Sequence, residues 1–448
     1  MPWTRQTPFQ INELFASQRG ADPVGLRLHL FFGCAYLFLA AWPTTFVDWS
    51  ALCLLVCWAI RMISHHRILG PLWWDGLARL GILWTLWLAL SLLWTAGTRR
   101  DWLFDIGSIR YALAIPLLYP IIDRRVWLIG ALALGFVCAE FSQLIHFIGL
   151  HSGIRSMTWQ RDPARISGWL DPVVAGSLLC AALGLFGGLA MAKVGRVRVV
   201  AAILVGTTLL AILATGTRGA WIAAAALIGF LLLVHLIRNG AARGFSRTRL
   251  VLFIIGTVGV VGTGLVFAPG AARTRFDKGV AEVTNAMRRG DYTSDTGQRL
   301  SMWMWAMRCI RQSPIIGVGA GGYKPWCEEQ LRIERGSVAL DGAGLVPLLP
   351  APHAHAHSWF LHGAATLGLV GFGLLLAMIV LAIRSIVNRP PSDGLAVPLA
   401  LFGLTLAGLF DTIHVNQQTA NLFYILLALS VTMRPGEPEL SGAPRATS

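Results

Sequence analysis

The sequence predicts an all-α polytopic membrane protein with about twelve transmembrane helices and one large helical loop. Its 448 residues are 55% hydrophobic and only 13% charged, with a mean hydropathy of +0.62. A soluble protein averages about 25% charged residues. The 48 glycines and 18 tryptophans also suit a membrane protein, because glycine is common in spans and tryptophan collects at membrane interfaces. The composition therefore excludes a disordered chain and disfavours a soluble enzyme.

The formal net charge of +15 would favour a nucleic-acid partner in a soluble protein. In this chain the arginines fall between apolar runs, which is the pattern that membrane topology produces. We therefore predict a membrane-lipid environment and no nucleic-acid partner.

Apolar runs near the length needed to cross a bilayer, about 20 residues, divide most of the chain. The predicted spans are 28–46, 49–64, 77–96, 103–122, 126–149, 173–192, 199–216, 219–237, 250–269, 359–383, 395–411 and 417–433. Two charged residues, Asp105 and Arg110, interrupt the fourth span. The predicted division is 1–269 for helices one to nine, 270–357 for the large loop, 358–434 for helices ten to twelve and 435–448 for a tail.

The distribution of basic residues predicts the orientation. With the N-terminus inside, the cytoplasmic loops carry Arg61, Arg67, Arg124, Arg125, Lys193, Arg196, Arg198, Arg238, Arg243, Arg247, Arg249, Arg384 and Arg389. The short outside loops carry fewer basic residues, which fits the positive-inside rule. Both termini and the polar tail are therefore predicted to be cytoplasmic.

The segment 270–357 is predicted to be a folded loop on the outside. Its tryptophans and methionines give a helical pattern from about Gln298 to Gln312, and the glycines of 317–322 follow. We interpret the glycines as a turn, because a dinucleotide site needs a βαβ unit that is not predicted here. Cys309 and Cys327 lie in this segment and could pair in an oxidising compartment.

Several arginines are predicted on the outside, against the topology rule. Arg218 begins the eighth span, where a helix N-terminus and a guanidinium together suit a phosphate. The alternative is an arginine that snorkels to the interface. Arg161, Arg165 and Arg299 are each typical of a solvated charge when taken alone. Together such groups could bind a diphosphate, which needs several donors.

Histidines crowd the segment just before the tenth span. His353, His355 and His357 alternate along the chain, and His362 follows. A metal site has this spacing, but no nearby carboxylate supports it, and a single general base is the preferred interpretation. Interface histidines without a role are the remaining alternative. Asp411 and the nearby His414 are polar groups at the end of the eleventh span, and spacing assigns them no role.

Three motifs in order resemble the signatures of the O-antigen ligase and polymerase superfamily. The first is Thr215–Trp221, with the sequence TGTRGAW. The second is Gly297–Trp303, followed by Ser313–Tyr323. The third is His355–Leu361, followed by Gly368–Gly371. Their order, spacing and membrane context all match, and the large outside loop precedes the third motif as it does in the family.

The resemblance implies a metal-independent, inverting transferase of the C-type glycosyltransferase architecture, without a cofactor. Its donor would be a glycan on undecaprenyl diphosphate. Carried over to matching positions, Arg218 and Arg299 would bind the diphosphate and His357 would act at the acceptor hydroxyl. Ser358 stands where the family often has Asn. Arg161 or Arg165 would be a further basic position, and the supporting residues would be His355, Tyr323 and Asp411.

Within the superfamily we expect an O-antigen ligase, which transfers the glycan to the lipid A–core oligosaccharide in lipopolysaccharide biosynthesis. The implied place is the bacterial inner membrane, with the active site on the periplasmic face. A polymerase and a protein O-oligosaccharyltransferase use the same donor and remain alternatives; the short tail after Met433 disfavours the latter. A lipid or glycan transporter is disfavoured because no inverted repeat is apparent.

Overall fold

A computed structural model describes residues 7–154, 165–240, 270–341, 349–350, 352–388 and 395–431. These residues form α-helices and short 3₁₀ helices, and no strand occurs among them. The α-helices are α1 Pro8–Ala21, α2 Pro23–Phe38, α3 Thr44–His65, α4 Gly76–Leu90, α5 Arg99–Ile106, α6 Ala114–Leu118, α7 Arg125–Ser152, α8 Pro172–Ala192, α9 Gly195–Ala214, α10 Arg218–Gly240, α11 Gly270–Arg289, α12 Asp295–Gln312, α13 Tyr323–Asp341, α14 Trp359–Asn388, α15 Ala396–Ala407 and α16 Gln417–Ser430. The all-α prediction is confirmed for this part of the chain.

Eight helical stretches in the described ranges are long and apolar enough to cross a membrane. They are Pro23–Ala41, Thr44–Trp74, Gly76–Leu93, Arg99–Ser152, Pro172–Ala192, Gly195–Ala214, Arg218–His235 and Trp359–Arg384. Large apolar side chains such as Phe31, Trp49 and Ile63 are exposed on these stretches, as expected where helices face lipid. The predicted ninth span, 250–269, lies outside the described residues.

The predicted fourth span, 103–122, is not one continuous α-helix. Helix α5 ends at Ile106, and the five-residue α6 is flanked by 3₁₀ helices at Gly107–Leu113 and Tyr119–Arg124. Pro116 and Pro120 lie in this stretch, and proline removes a backbone donor and disfavours a regular α-helix. Hydropathy does not register such breaks, so the prediction joined separate short helices.

The last two predicted spans are also shorter than expected. Helix α15 has 12 residues and α16 has 14, and nearly all of their side chains are buried. Helix α8 packs along α15 at very short range: a Cβ added to Gly184 would lie 2.1 Å from the Leu399 carbonyl, and one added to Gly403 would lie 2.2 Å from the Cys180 carbonyl. Small residues allow this approach, as is common between membrane helices. The short helices therefore lie inside protein.

The segment 270–357 contains three helices, α11, α12 and α13. Helix α12 includes the stretch predicted as helical from Gln298 to Gln312. Trp305, Tyr323 and both cysteines of the segment are fully buried in one apolar cluster. Cys309 and Cys327 are free thiols, so the pairing that the sequence left open is not formed in this structure.

The glycine-rich stretch 317–322 is a turn, as predicted, and it is locked onto a kink in α14. Val318 and Gly319 donate backbone hydrogen bonds to the carbonyls of Ala365 and Thr366, at 3.0 and 2.9 Å. Gly319 has a φ of 84° and Gly368, at the kink, has a φ of 64°. Both conformations favour glycine. The turn therefore joins the 270–357 segment to α14, which begins directly after the histidines.

Candidate active site

Arg218 is presented by a tight turn at the start of α10. Gly216 has a φ of 62°, and the Thr217 backbone N–H donates to the Thr215 hydroxyl at 3.2 Å. The Thr217 hydroxyl donates to the carbonyl of Pro172 at 2.9 Å, which ties the turn to α8. The first signature motif therefore contains a turn that is held by hydrogen bonds and that fixes the position of Arg218.

Arg165 lies against the same turn. Its Nε donates to the carbonyl of Thr215 at 3.2 Å, and its Nη2 donates to the hydroxyl of Thr217 at 3.0 Å. These hydrogen bonds show that Arg165 stabilises the turn in this structure. A contact between Arg165 and a diphosphate stays a prediction. Arg161 lies outside the described residues.

The guanidinium of Arg218 is directed to α11 and α12. Its Nη1 donates to a carboxylate oxygen of Glu282 at 2.8 Å and to the hydroxyl of Thr296 at 2.7 Å. The side chain of Arg218 is 29% exposed and that of Glu282 is 7% exposed. Burial alone would raise the pKa of Glu282, but hydrogen bonds from Thr296 and Arg218 hold it below its usual value. Arg218 is thus paired while solvent still reaches it.

Arg299, on α12, lies close to the turn between α15 and α16. Its Nη1 donates to the carbonyl of Phe410 at 2.9 Å. Burial lowers the pKa of Arg299, and the neighbouring Asp411 opposes that shift. Asp411 is itself buried and accepts hydrogen bonds from the Ser177 hydroxyl at 3.0 Å and the Thr412 N–H at 2.8 Å. Arg299 therefore lies near a buried aspartate, and it is near enough to Arg218 for the two charges to interact.

His357 has an unusual backbone conformation and an unpaired nitrogen. It is the one non-glycine residue in the described ranges with a positive φ, 47°. Such strain is common at functional sites. Its Nδ1 is buried and has no hydrogen-bond partner in the described part of the chain. Burial, assisted by the charge of Arg299, lowers the pKa of His357 to about 4. The imidazole is therefore neutral near pH 7 and able to accept a proton.

Of the predicted supporting residues, His355 is in contact with His357. The ring of His355 is 4.1 Å from that of His357, and its Nδ1 accepts the His357 N–H at 3.3 Å. Ser358, which follows, accepts the Leu361 N–H at 3.5 Å near the start of α14. Tyr323 is deeper: its hydroxyl donates to the carbonyl of Met302 at 2.8 Å. Tyr323 therefore contributes to packing in this structure.

A buried carboxylate behind the histidines was not assigned a role from the sequence. Asp105 accepts the Gly321 N–H at 2.6 Å, and its other oxygen lies 3.4 Å from Nε2 of His362. The His362 ring lies 5.5 Å from that of His414 and 6.4 Å from that of His355. The sequence did contain a signal for Asp105, because an ionisable residue within an apolar span often marks a functional site. The sequence analysis treated Asp105 only as an interruption of the span.

The described histidines are not arranged as a metal site. Across the described ranges, no group of three or more His, Cys, Asp or Glu side chains is arranged to hold a metal ion. Metal independence stays a prediction that only chemistry can test.

The fold and the site are those of a helical protein with several helices apolar enough to cross a membrane, in which two neighbouring arginines lie near a histidine. Residues 201–376 match the O-antigen ligase family. The matched range contains Arg218, Arg299 and His357, and over it this chain is similar to the O-antigen ligase superfamily. The superfamily contains glycosyltransferase-type ligases and polymerases that act in lipopolysaccharide biosynthesis.

One curated relative is an uncharacterised protein of Haemophilus influenzae. It is 22% identical over 167 residues, an alignment that covers 37% of this chain and 38% of the relative. The chain therefore spans well under two thirds of that relative in the alignment, and the relative brings no function of its own.

Proposed function

We propose that this protein is an O-antigen ligase, which transfers a glycan from undecaprenyl diphosphate to a sugar hydroxyl of the lipid A–core oligosaccharide. One observation carries the proposal: Arg218 and Arg299, which come from different segments, lie close enough for their charges to interact, and the charge of Arg299 also reaches His357. A diphosphate leaving group needs several cationic donors, and an acceptor hydroxyl needs one base.

The chemistry balances without a metal. The bond between the anomeric carbon and the diphosphate oxygen breaks, and Arg218 and Arg299 stabilise the negative charge on the departing undecaprenyl diphosphate. The acceptor hydroxyl oxygen forms the new glycosidic bond and gives its proton to His357. Attack from the face opposite the leaving group inverts the anomeric centre. The carbonyl of Phe410, which accepts a hydrogen bond from Arg299, positions that guanidinium.

The proposed setting is the bacterial inner membrane, with the site on the periplasmic face and both termini in the cytoplasm. The basic residues between spans support this orientation. The segment 270–357, which supplies Arg299, Glu282 and His357, would then be periplasmic. Both substrates are lipid-linked, which accounts for a site at the ends of membrane helices.

Two alternatives use the same donor and the same residues: an O-antigen polymerase and a protein O-oligosaccharyltransferase. A lipopolysaccharide gel of the source bacterium with and without the gene separates them, together with an assay for undecaprenyl-linked polymer. Loss of the ladder with accumulation of long polymer on undecaprenyl supports the ligase. A ladder reduced to core plus one repeat identifies the polymerase. An unchanged lipopolysaccharide ladder excludes both the ligase and the polymerase.

The catalytic role is tested by complementing the deletion with His357→Ala. The expected result is a folded, membrane-inserted protein that restores no ladder. His151→Ala is the matched control, because His151 is exposed at the end of α7, and it should restore the ladder fully. Restoration by His357→Ala would refute the assignment.

A further inference from the structure

A cavity of about 420 Å³ opens beside the site, between the loop before α12 and the histidine segment. Its lining includes Asp291, Tyr292, Thr293, Gln298 and His353. The volume falls within the ~300–1,000 Å³ of ordinary small-molecule sites. The mechanism given above uses none of these five residues.

The cavity wall is held in shape by its own hydrogen bonds. One oxygen of Asp291 accepts both the backbone N–H and the hydroxyl of Thr293, at 3.0 and 2.7 Å. Gln298 donates its side-chain amide to the carbonyl of Thr293 at 3.3 Å. The Ser294 hydroxyl caps α12 by accepting the Gly297 N–H at 3.1 Å. The polar groups are therefore oriented before any ligand arrives.

The chemistry of the wall suits a carbohydrate. Sugar hydroxyls both donate and accept, so they pair with a carboxylate, an amide, a hydroxyl and an imidazole. All four types are present, in Asp291, Gln298, Thr293 and His353. The half-buried ring of Tyr292 offers an apolar surface for the C–H face of a sugar ring. Among the residues that the structure describes, the lining includes no arginine or lysine, which disfavours a second phosphate site.

The cavity lies next to the reacting groups. The ring of His353, which lines it, is 6.5 Å from the ring of His357. Gln298 directly precedes Arg299 on α12. A saccharide in the cavity therefore lies beside the proposed base and one residue along the helix from the proposed diphosphate contact.

We propose that this cavity is a saccharide-binding subsite that positions a sugar of one substrate against His357. The inference rests on the proposed function. The sugar belongs either to the acceptor oligosaccharide or to the glycan of the donor, and the two sources have the same recognition chemistry.

The test uses Gln298→Ala and Asp291→Asn in the full-length protein. Asparagine retains an oxygen for the bonds from Thr293 while it removes the negative charge. Gln312→Ala is the matched control, since Gln312 is an exposed amide at the end of the same helix. Transfer is measured with purified protein, core-only lipopolysaccharide as acceptor and undecaprenyl-diphosphate-linked glycan as donor, each titrated separately.

The expected result is a rise of about tenfold in KM for one substrate, with kcat close to that of the unmodified protein. A rise in KM for the lipopolysaccharide identifies the acceptor as the source, and a rise for the donor identifies the donor glycan. Values equal to those of the Gln312→Ala control for both substrates would overturn the proposal.

Failure of the proposed function has a different signature: the unmodified protein then transfers no glycan at all. In that case the cavity is tested by calorimetry with the free core oligosaccharide and with the free repeat-unit oligosaccharide. Binding that weakens in Gln298→Ala but not in Gln312→Ala supports the subsite. Absence of binding of both saccharides to the unmodified protein overturns it.

Discussion

The substitution Arg299→Gln tests the diphosphate site most directly. Glutamine keeps a side-chain amide, yet it removes the positive charge that lies between Asp411 and His357. Because Arg299 is half-buried, its charge is screened by solvent less than that of a fully exposed arginine. Its loss should weaken the interaction with the donor more than loss of an exposed arginine would.

The magnitude follows from the charge and its surroundings. A unit charge pair about 4 Å apart is worth about 4 kcal/mol at an effective dielectric constant near 20. A hydrogen bond to a charged group is worth about 1.5–3 kcal/mol net. Taking roughly 2–4 kcal/mol, and a factor of ten for each 1.4 kcal/mol, kcat/KM for the donor should fall roughly 30- to 700-fold. Arg218→Gln should cost less, because Arg218 is 29% exposed and is already paired with Glu282.

The assay is glycan transfer at subsaturating donor and saturating core lipopolysaccharide, with thermal unfolding as the check on folding. Arg311→Gln is the matched control, since Arg311 is exposed on the same helix, and it should leave kcat/KM unchanged. An unchanged kcat/KM in a folded Arg299→Gln variant would refute the diphosphate assignment. A larger loss for Arg218→Gln than for Arg299→Gln would refute the argument from burial.

Three further predictions follow from particular contacts. His357 cannot act as a base once it is protonated, so kcat/KM should fall as the pH drops through about 4, and an acid limb of kcat/KM at 6.5 would contradict this. A bound diphosphate should raise the pKa of His357, so the acid limb of kcat should lie at a higher pH than that of kcat/KM. Glu282→Gln should lower the KM for the donor, because the carboxylate competes with the diphosphate for Arg218, and it should also lower the melting temperature. A raised KM would contradict this and would mean that Glu282 positions Arg218 for the donor. Gly319→Ala should destabilise the protein by about 1–3 kcal/mol in thermal unfolding, whereas Gly363→Ala, with open space around it, should not; equal melting temperatures would contradict this.

The long helices were predictable because each has a sustained apolar run. Helices α7, α8, α9 and α14 contain most of the spans read from hydropathy at 126–149, 173–192, 199–216 and 359–383. The predicted span at 103–122 lies within the apolar helical stretch Arg99–Ser152, but proline and 3₁₀ geometry divide it into short helices. The short α15 and α16 were misjudged for another reason: burial inside protein, which hydropathy cannot distinguish from burial in lipid.

The candidate site was predictable only in part. Arg218 and His357 belong to motifs that can be recognised in sequence, and a helix start and an imidazole have evident chemistry. Their partners come from distant positions: Glu282 is 64 residues from Arg218, and Asp105 is 257 residues from His362. No local spacing relates such pairs, because they are created by the packing of helices. A carboxylate that pairs with a site arginine therefore becomes apparent only in the fold.

The paired charges explain how a strongly basic site can exist without a ligand. An isolated buried charge is costly, and removal of one partner of a buried pair typically costs about 3–5 kcal/mol. Here Glu282 forms an ion pair with Arg218, and Arg299 donates a hydrogen bond to the Phe410 carbonyl beside the buried Asp411. A diphosphate that enters the site must compete with Glu282 for Arg218. Asp411, in contrast, accepts hydrogen bonds from Ser177 and Thr412. The same competition favours release of undecaprenyl diphosphate after transfer, because Glu282 can pair with Arg218 again.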